Sequence, residues 1–321
     1  MRVARSVTSR EVVLEQVPDP VAGAGEVVCR VLACGVCGSD VSESYVTRKL
    51  PAVLGHELVG EVLEVGTGVA GVGTGDRVVL HHHAPCGECR RCRRGHETLC
   101  EQFRATGLDP GGFAERVRVI APLVPELLAL GELDPLAGTF VEPLACVLRA
   151  LDRAGLRGGD CLLVVGAGTN GLLSIAAARA RGVEAVWIRE PREDRRLLAE
   201  AWGAAHHADE PVDVALVTID KRDAIAAGAD AVAPGGSLCL YAPPAPQTPL
   251  DLDSERLFMR EIAICSSYSA GPADMLEALS LIASGQIDPA ALVTHRLTLD
   301  ETAQALDLQR RGVALKVVVE P

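Results

Sequence analysis

The sequence predicts an α/β protein of about two domains. Its 321 residues fit two domains of about 150 residues each. From Cys161 onward, an apolar strand pattern, a glycine-rich turn and a helical pattern follow one another, and a second strand pattern, EAVWIRE, comes after them. Such a strand-helix-strand unit is typical of a parallel sheet. The N-terminal part is of a different kind, because it contains a loop with four closely spaced cysteines.

Composition limits the partners that we expect. The formal net charge is −12, which argues against a general nucleic-acid or anionic-membrane partner. The first twenty residues contain no apolar segment of the kind that signal peptides have. The uncharged stretch 161–178 contains three glycines, and strand, turn and helix explain it better than a membrane span does. We therefore expect a cytoplasmic protein that acts on a small molecule.

Four of the eleven cysteines form one cluster. They are spaced C-x2-C-x2-C-x7-C, at Cys86, Cys89, Cys92 and Cys100. Four thiolates can surround one Zn²⁺ ion tetrahedrally, although an iron–sulfur cluster is the alternative. Without an export signal, metal-bound thiolates explain these cysteines better than disulfides do. A four-cysteine zinc site has no open position, so we expect it to be structural and the chemistry to lie elsewhere.

A second group of metal-binding residue types comes from three separate segments. Cys37 lies in the turn CGVCGSD, His56 and Glu57 lie in LGHELVG, and Glu142 precedes Pro143 at a predicted helix start. Taken singly, they are explained as a buried thiol, a core histidine and a helix cap. Taken together, they predict an incomplete zinc shell, which is what catalytic zinc requires.

Three consecutive histidines, His81 to His83, follow the strand pattern DRVVL. Neighbouring side chains on a strand point to opposite faces, so the three cannot bind one ion from a straight strand. We expect ordinary strand-end histidines, of which one could line a cleft.

The glycine-rich turn predicts a dinucleotide site. Gly166, Gly168 and Gly171 form G-x-G-x-x-G between a strand and a helix, and Glu190 ends the next strand. Glycines let the backbone approach a pyrophosphate, and an acid at this position binds the ribose hydroxyls of NAD. The predicted cofactor-binding residues are Gly166, Gly168, Thr169, Asn170, Gly171 and Glu190. NADP stays possible, because Arg189 and Arg192 flank Glu190 and could pair with a 2′-phosphate.

In this order, the three features resemble one family. They resemble the zinc-dependent medium-chain alcohol dehydrogenases, in the branch of the polyol (sorbitol-like) and threonine dehydrogenases. The resemblance extends over nearly the whole chain, from GEVVCRVLACGVCGSD to SYSAGPADMLEALSLI. It implies a GroES-like β-barrel catalytic domain, residues 1–143 and 276–321, with a Rossmann doubly wound parallel-sheet domain, residues 144–275, inserted into it.

The resemblance also implies roles for residues. Cys37, His56 and Glu142 match the catalytic zinc positions, and Glu57 would bind the ion directly, through water or by exchange. Ser39 matches the hydroxyl that touches the reacting oxygen. The expected reaction transfers a hydride between a secondary alcohol (polyol, sugar or cyclitol-like) and NAD(P) and gives a ketone. The alternatives are a threonine-like amino-alcohol substrate, or a non-catalytic protein that binds NAD and zinc.

The resemblance implies two zinc ions per chain and a homodimer or homotetramer. There are two departures from the family pattern. Ser42 stands where many polyol relatives have a histidine in the proton path. The segment AAHHADEPV is too short for the helix that relatives have there, so one βα unit of the Rossmann domain is expected to be trimmed.

Overall fold

The computed structural model describes residues 1–321, and the chain divides into two compact units. Unit 1 consists of Met1–Glu142, Gly271–Ala283 and Asp288–Pro321, and unit 2 consists of Pro143–Ala270 and Ser284–Ile287. The chain divides after residues 142 and 270. The expected boundaries, after residues 143 and 275, lie one and five residues further along the chain. The structure contains no helix with the length and apolarity that crossing a bilayer requires.

The first part of the chain is mostly β-structure. Its strands are β1 Arg2–Ser6, β2 Val12–Gln16, β3 Val27–Gly35, β4 Ala52–Val53, β5 Glu57–Val65, β6 Arg77–Leu80, β7 Arg116–Val119 and β8 Leu128–Ala129. Its helices are α1 Glu43–Val46, α2 Glu101–Ala105, α3 Pro135–Gly138 and α4 Val141–Ala154. Short 3₁₀ helices span Gly38–Val41, Cys92–Arg94 and Glu97–Leu99. The predicted helix start at Glu142 is confirmed, since this residue lies in the first turn of α4.

The second part alternates strands and helices. Its strands are β9 Cys161–Val165, β10 Ala185–Arg189, β11 Ala205–His206, β12 Val212–Val217, β13 Val232–Leu240 and β14 Ala263–Ser266. Its helices are α5 Thr169–Ala180, α6 Glu193–Ala201, α7 Arg222–Ala231 and α8 Ser254–Met259. The chain then continues through α9 Pro272–Ala283, β15 Val293–Thr298, α10 Thr302–Arg310 and β16 Lys316–Glu320. The C-terminal tail thus ends in a strand, a helix and a strand.

Unit 1 is built around a seven-stranded sheet with the order β15-β16-β3-β5-β6-β8, in which β7 also pairs with β3. The C-terminal strand β16 runs antiparallel to β3, so the tail is part of the same sheet as the N-terminal strands. Apolar residues of these strands form a common core that includes Val31, Leu58, Leu80 and Val317. A second, three-stranded sheet has the order β2-β1-β4.

Unit 2 is built on a six-stranded parallel sheet with the order β11-β10-β9-β12-β13-β14. Numbered along the chain, this order is 3-2-1-4-5-6, which is that of a doubly wound dinucleotide-binding sheet. Four of the five residues of β9 are buried, as expected for a central strand that is covered on both faces. The strand order reverses between β9 and β12. Because crossovers are right-handed, this reversal places the helices of the two halves on opposite faces, and ligands bind at such a reversal.

One unit of the Rossmann sheet is trimmed, as the sequence predicts. Strand β11 has two residues, and the connection from it to β12, residues 207–211, contains no helix. His207 is buried in this connection, where its Nδ1 is 2.8 Å from an Arg189 guanidinium nitrogen and its Nε2 is 2.8 Å from the Glu210 carbonyl oxygen. These contacts hold the short loop against the end of β10.

Candidate active site

Three predicted metal ligands lie together in unit 1. One donor atom each of Cys37, His56 and Glu57 lies within 4.8 Å of the others. The backbone produces this proximity, because Gly35 at the end of β3 pairs with Glu57 at the start of β5. Cys37 follows two residues later, as the cap of the 3₁₀ helix Gly38–Val41.

Asp40 orients two of these three residues. It is 2% exposed, and its Oδ2 accepts a hydrogen bond from the Cys37 backbone N–H over 3.0 Å. Its Oδ1 is 3.4 Å from His56 Nδ1. The other ring nitrogen, Nε2, is 3.5 Å from Ser39 Oγ and is thus the nitrogen available to a metal ion. A carboxylate behind a histidine ligand commonly fixes the tautomer and orientation of the ring.

The charges in this group stabilise one another. Burial disfavours the imidazolium, yet Asp40 and Cys37 together raise the pKa of His56 well above its ordinary value. Burial likewise disfavours the Asp40 carboxylate, but the facing His56 keeps the pKa of this carboxyl below its ordinary value. Asp40 and Cys37 therefore stabilise a positive charge at His56. A cation bound to His56 would supply this charge in place of the proton.

Glu57 forms a buried ion pair with Lys316. The Lys316 ammonium contacts Glu57 Oε2 and lies 3.4 Å from the Val36 carbonyl oxygen, and both side chains are 2% exposed. Burial opposes the ammonium charge, but Glu57, with smaller contributions from Cys37 and Glu142, outweighs it and raises the pKa of Lys316. One carboxylate oxygen of Glu57 is thus paired with Lys316, and Oε1 is the oxygen left for a metal ion.

Gly35 leaves the space for this ion pair. A Cβ atom at position 35 would overlap Glu57 Oε2 and would lie 2.7 Å from Lys316 Cε. The Phe140 ring covers the other side, with its centroid 5.3 Å from Lys316 Nζ. Glu142 is also buried, and its charge acts on Lys316. It lies outside the 4.8 Å group of three, so its role as a zinc ligand stays a prediction.

The three consecutive histidines begin directly after β6, and one of them reaches the metal group. The His82 ring lies 4.9 Å from the His56 ring, centroid to centroid, and 4.1 Å from the His83 ring. Burial lowers the pKa of all three, to about 3 for His81 and about 4 for His83. The histidines are therefore neutral near pH 7, and His82 is the one that lines the site.

The four-cysteine loop has the geometry of a closed zinc site. Its Sγ atoms are separated by 3.6 Å between Cys89 and Cys92, by 3.5 Å between Cys86 and Cys100, and by 4.0 Å between Cys86 and Cys92. Four sulfurs placed about 2.3 Å from one ion are separated from each other by about 3.8 Å. Backbone N–H groups of Cys86 and Cys89 point at the sulfurs of Cys100 and Cys86 over 3.5 and 3.4 Å.

The glycine-rich turn of unit 2 lies at the carboxyl end of β9. Gly166 has a φ of +101°, and a Cβ atom at Gly171 would overlap the Gly166 carbonyl oxygen. A Cβ atom at Gly168, in contrast, would have no protein atom within 4 Å. Gly168 directly precedes α5, whose first residues are Thr169 and Asn170. Open space in front of a helix N-terminus is suited to a phosphate group.

Glu190 lies beside this turn. Its Oε2 accepts a hydrogen bond from the Ala167 N–H over 2.8 Å, and its Oε1 accepts one from the Arg192 N–H over 2.9 Å. The flanking arginines have other partners: Arg189 is 2.6 Å from Asp209, and Arg192 is 2.8 Å from Asp194. The turn and Glu190 meet because Val165 and Arg189 are register partners in the parallel sheet.

Known proteins match this chain over its length. The family model of the alcohol dehydrogenase GroES-like domain matches residues 23–127. Sorbitol dehydrogenase of Bacillus subtilis (strain 168) is 30% identical, over 100% of this chain and 97% of the relative. L-threonine 3-dehydrogenase of Pyrococcus horikoshii is 32% identical, over 96% of this chain and 94% of the relative. The solved structure of the alcohol dehydrogenase TADH from Thermus sp. ATN1 superposes with a TM-score of 0.87 at 29% identity, covering 100% of this chain and 99% of that one.

The chain belongs to the zinc-dependent medium-chain alcohol dehydrogenases. The family and the fold class that the sequence predicts, a GroES-like domain with a Rossmann sheet, are therefore confirmed. As a medium-chain alcohol dehydrogenase, the protein is an oxidoreductase.

Sequence reasoning missed two residues of this dehydrogenase site, Asp40 and Lys316, and it did not say which of the three consecutive histidines lines the site. Asp40 and His82 were visible in CGSD and HHH, but only the fold places them against His56. Lys316 had a signal, because it is the one charged residue in the apolar run GVALKVVV. A lone lysine in a buried strand pattern requires a buried partner, although the sequence does not say that the partner is Glu57.

Proposed function

We propose that this chain is a zinc- and NAD-dependent dehydrogenase that oxidises a secondary alcohol of the polyol, sugar or cyclitol type to a ketone. The observation that supports this most is the group of half-buried Cys37 and His56 and buried Glu57, with donor atoms within 4.8 Å of one another. Thiolate, imidazole and carboxylate are ligands that suit Zn²⁺, and three protein ligands leave a position for a substrate oxygen.

The residues fit two zinc ions per chain. Cys37, His56 and one or both of Glu57 and Glu142 would hold the catalytic ion, and the four cysteines of the loop would hold the structural ion. Bound zinc supplies Lewis acidity, which lowers the pKa of an alcohol hydroxyl. The structural site requires thiolates. Burial disfavours the Cys100 thiolate, but hydrogen bonds, led by those from the Cys86 and Phe103 backbones, together lower the pKa of Cys100 to about 6. Burial and the neighbouring thiols raise the pKa of Cys92 to about 12 in the absence of an ion, so a bound cation would have to supply the charge that favours its thiolate.

The residues around the metal group would move the proton and hold the ligands in place. Ser39 Oγ, 3.5 Å from His56 Nε2, is placed to accept the hydroxyl proton of the substrate. Asp40 contacts the other ring nitrogen of His56 and so keeps Nε2 directed toward Ser39 and the proposed zinc position. Lys316 balances the charge of Glu57, so that a second anionic ligand does not add a full negative charge to the site. With Ser42 in place of a histidine, the proton leaves Ser39 by another route.

The unit 2 site is suited to NAD. Glu190 is held beside the glycine-rich turn by two backbone N–H groups, and a carboxylate there accepts the ribose hydroxyls and repels a 2′-phosphate. The two arginines that would favour NADP are paired with Asp209 and Asp194. Gly166, Gly168, Thr169, Asn170 and Gly171 would cradle the pyrophosphate, and the nicotinamide would accept the hydride.

A threonine-like amino alcohol is the second candidate substrate. The similarity to L-threonine 3-dehydrogenase, at 32% identity, is as high as the similarity to sorbitol dehydrogenase at 30%. We favour the polyol because the half-buried ring that contacts His56, that of His82, is a neutral imidazole. An imidazole nitrogen that carries a proton donates to a hydroxyl oxygen, whereas an ammonium group has no acceptor for it.

Three experiments test the proposed function. Metal analysis of the purified protein should find two zinc ions per chain, while one ion would leave only the structural site. A panel of polyols, cyclitols and threonine, each assayed with NAD and with NADP, should give NADH with the polyols and less turnover with NADP.

Cys37→Ser should abolish turnover and keep NAD binding. Absence of turnover with every alcohol, while zinc and NAD both bind, would support the non-catalytic alternative.

We also propose a homodimer or homotetramer in the cytoplasm. The edge strand β14 pairs on one side only, and Phe258, Met259 and Ile264 near it are exposed. An open edge with exposed apolar residues is suited to a second copy of the chain. All eleven cysteines are free thiols in the structure, which is consistent with a reducing compartment.

A further inference from the structure

We propose that His82 is a specificity residue, whose imidazole binds a second hydroxyl of the substrate on the carbon next to the one that is oxidised. The inference rests on the proposed function, because it concerns an alcohol held at Cys37, His56 and Glu57. It deepens that function by naming the substrate class as vicinal diols and higher polyols with the same pair of hydroxyls.

The first step is the position of the ring. His82 comes two residues after the end of β6, and its centroid is 4.9 Å from that of His56, with 52° between the ring planes. His56 presents Nε2 toward Ser39. His82 is therefore the side chain beside the imidazole that we assign to the metal, and a substrate oxygen bound there would have this ring as a neighbour.

The second step is the state of the ring nitrogens. His82 is half-buried. Its Nδ1 is buried and has no hydrogen-bond partner, whereas its Nε2 is accessible and also has no partner in the protein. A buried N–H without an acceptor is costly. The neutral ring avoids this cost by carrying its proton on Nε2, which makes Nε2 a donor on the accessible edge of the ring.

The third step is the comparison with the two neighbouring histidines. His81 is 1% exposed, both of its nitrogens are buried, and its ring packs against Phe103 at 5.9 Å. His83 Nδ1 is 2.8 Å from the Thr106 carbonyl oxygen, so this ring is used to hold the loop. Of the three, only His82 combines an accessible nitrogen without a partner with contact to the metal group.

The fourth step is the consequence for specificity. A site that is built to hydrogen-bond a substrate hydroxyl discriminates against the analogue without it, since a polar group of the protein is then left unpaired. A hydrogen bond between neutral groups contributes about 1 kcal/mol, so one such contact corresponds to a preference of about fivefold to tenfold.

The experiment compares two alcohols that differ by one hydroxyl, 2,3-butanediol and 2-butanol. Calorimetry measures the Kd of each for the zinc-loaded enzyme saturated with NADH, where no turnover takes place. Steady-state assays with NAD measure kcat/KM for the same two alcohols. The readout is the preference for the diol, which is the ratio of the two Kd values and, separately, of the two kcat/KM values.

Three variants make the comparison specific. His82→Phe keeps a ring against His56 and His83 but removes the donor, and should reduce the preference for the diol about fivefold to tenfold. His82→Asn restores a donor on a shorter side chain and should recover part of the preference. His83→Phe is the matched control, because it removes a neighbouring imidazole, lowers the melting temperature through the lost bond to Thr106, and should keep the preference.

The outcomes separate this inference from the proposed function. A diol preference that is unchanged in His82→Phe, or reduced equally in His83→Phe, overturns the role of His82 whether or not the enzyme turns over. A wild-type enzyme that binds the diol more tightly than 2-butanol and loses this preference in His82→Phe, without oxidising either alcohol, supports His82 and contradicts the proposed reaction. Equal binding of both alcohols by the wild-type enzyme overturns the inference.

Discussion

Lys316 is a buried cation beside the metal group, where its ammonium contacts Glu57. Its ammonium and the Glu57 carboxylate are both nearly inaccessible to water, and they are 259 positions apart in the chain. A buried ion pair contributes little net stability, because desolvation cancels most of the attraction, but removal of one partner leaves an unpaired buried charge. The pair therefore ties the C-terminal strand β16 to the metal group.

We predict that Lys316→Met lowers the free energy of unfolding by about 3–5 kcal/mol, because it leaves Glu57 charged, buried and unpaired. Urea unfolding of the zinc-loaded protein measures the loss. The double variant Lys316→Met with Glu57→Gln is the matched control, and it should recover much of the stability. A loss below about 1 kcal/mol would mean that water or the metal already compensates Glu57.

Asp40 and Ser39 are neighbours on one 3₁₀ helix, and their side chains have different expected roles. Asp40→Asn should weaken zinc binding at the catalytic site about 10- to 100-fold, since carboxylates behind histidine ligands typically contribute that much. Ser39→Ala should reduce kcat and keep the zinc affinity. Chelator competition measures the affinities, and similar zinc losses in both variants would contradict the division of roles.

At the scale of single residues, the sequence predicted the donors better than their surroundings. Cys37, His56 and Glu57 are residue types that bind zinc, so their chemistry alone is enough to select them as candidates. Asp40, His82 and Lys316 come next to these donors only in the folded protein. Their contacts form when β3, β5, β6 and β16 are brought together. Propensity and spacing do not encode such contacts.

Among the local elements, the glycine-rich turn contains one glycine that packing requires, Gly171, and one that ligand binding would require, Gly168. A Cβ atom at Gly171 would overlap the Gly166 carbonyl oxygen, whereas one at Gly168 would meet no protein atom. We predict that Gly171→Ala destabilises the Rossmann unit by about 2 kcal/mol, a typical cost of a steric clash in a packed region.

Gly168→Ala is the matched variant at the same turn. It should leave the free energy of unfolding within about 1 kcal/mol of the wild-type value, and it should weaken NAD binding, because the methyl group would occupy space that the pyrophosphate requires. Fluorescence titration with NADH and urea unfolding measure the two effects. NAD affinity unchanged in Gly168→Ala would contradict the proposed position of the pyrophosphate.

The four-cysteine loop is expected to act on stability and not on the reaction. Cys89→Ser should release the structural zinc and lower the melting temperature, while the enzyme that is still folded should retain its KM for the alcohol. Cys37→Ser should show the reverse, with loss of turnover and a nearly unchanged melting temperature. Equal loss of folded protein in both variants would contradict the separation of the two sites.

Elements were predictable where a short pattern decides them. The strand, turn and helix from Cys161, the start of α4 and the order of elements in the tail all follow from apolar periodicity and from glycine and proline positions. The pairing of β16 with β3 was expected only through the resemblance, since these strands are far apart in sequence. Long-range strand pairing is decided by the packing of the whole sheet.

At the scale of the whole molecule, the edge strand β14 is suited to association with a second copy of the chain. Strand β14 ends the Rossmann sheet and pairs only with β13. Ile264 on this strand is 41% exposed, and Phe258 and Met259 just before it are 81% and 71% exposed. An edge strand that carries no lysine or proline lacks the usual protection against pairing with another chain. A two-fold arrangement would let two copies of β14 pair with each other and cover these side chains.

We predict that Ile264→Lys converts the oligomer to smaller species, because a lysine on this strand would place like charges opposite each other across a two-fold axis. Leu14→Lys is the matched control, since Leu14 is similarly exposed, at 43%, on strand β2 of the other unit. Sedimentation velocity measures the mass of each variant at several concentrations. The control should sediment like the wild-type protein, and an Ile264→Lys variant that does so as well would show that the copies associate through another surface.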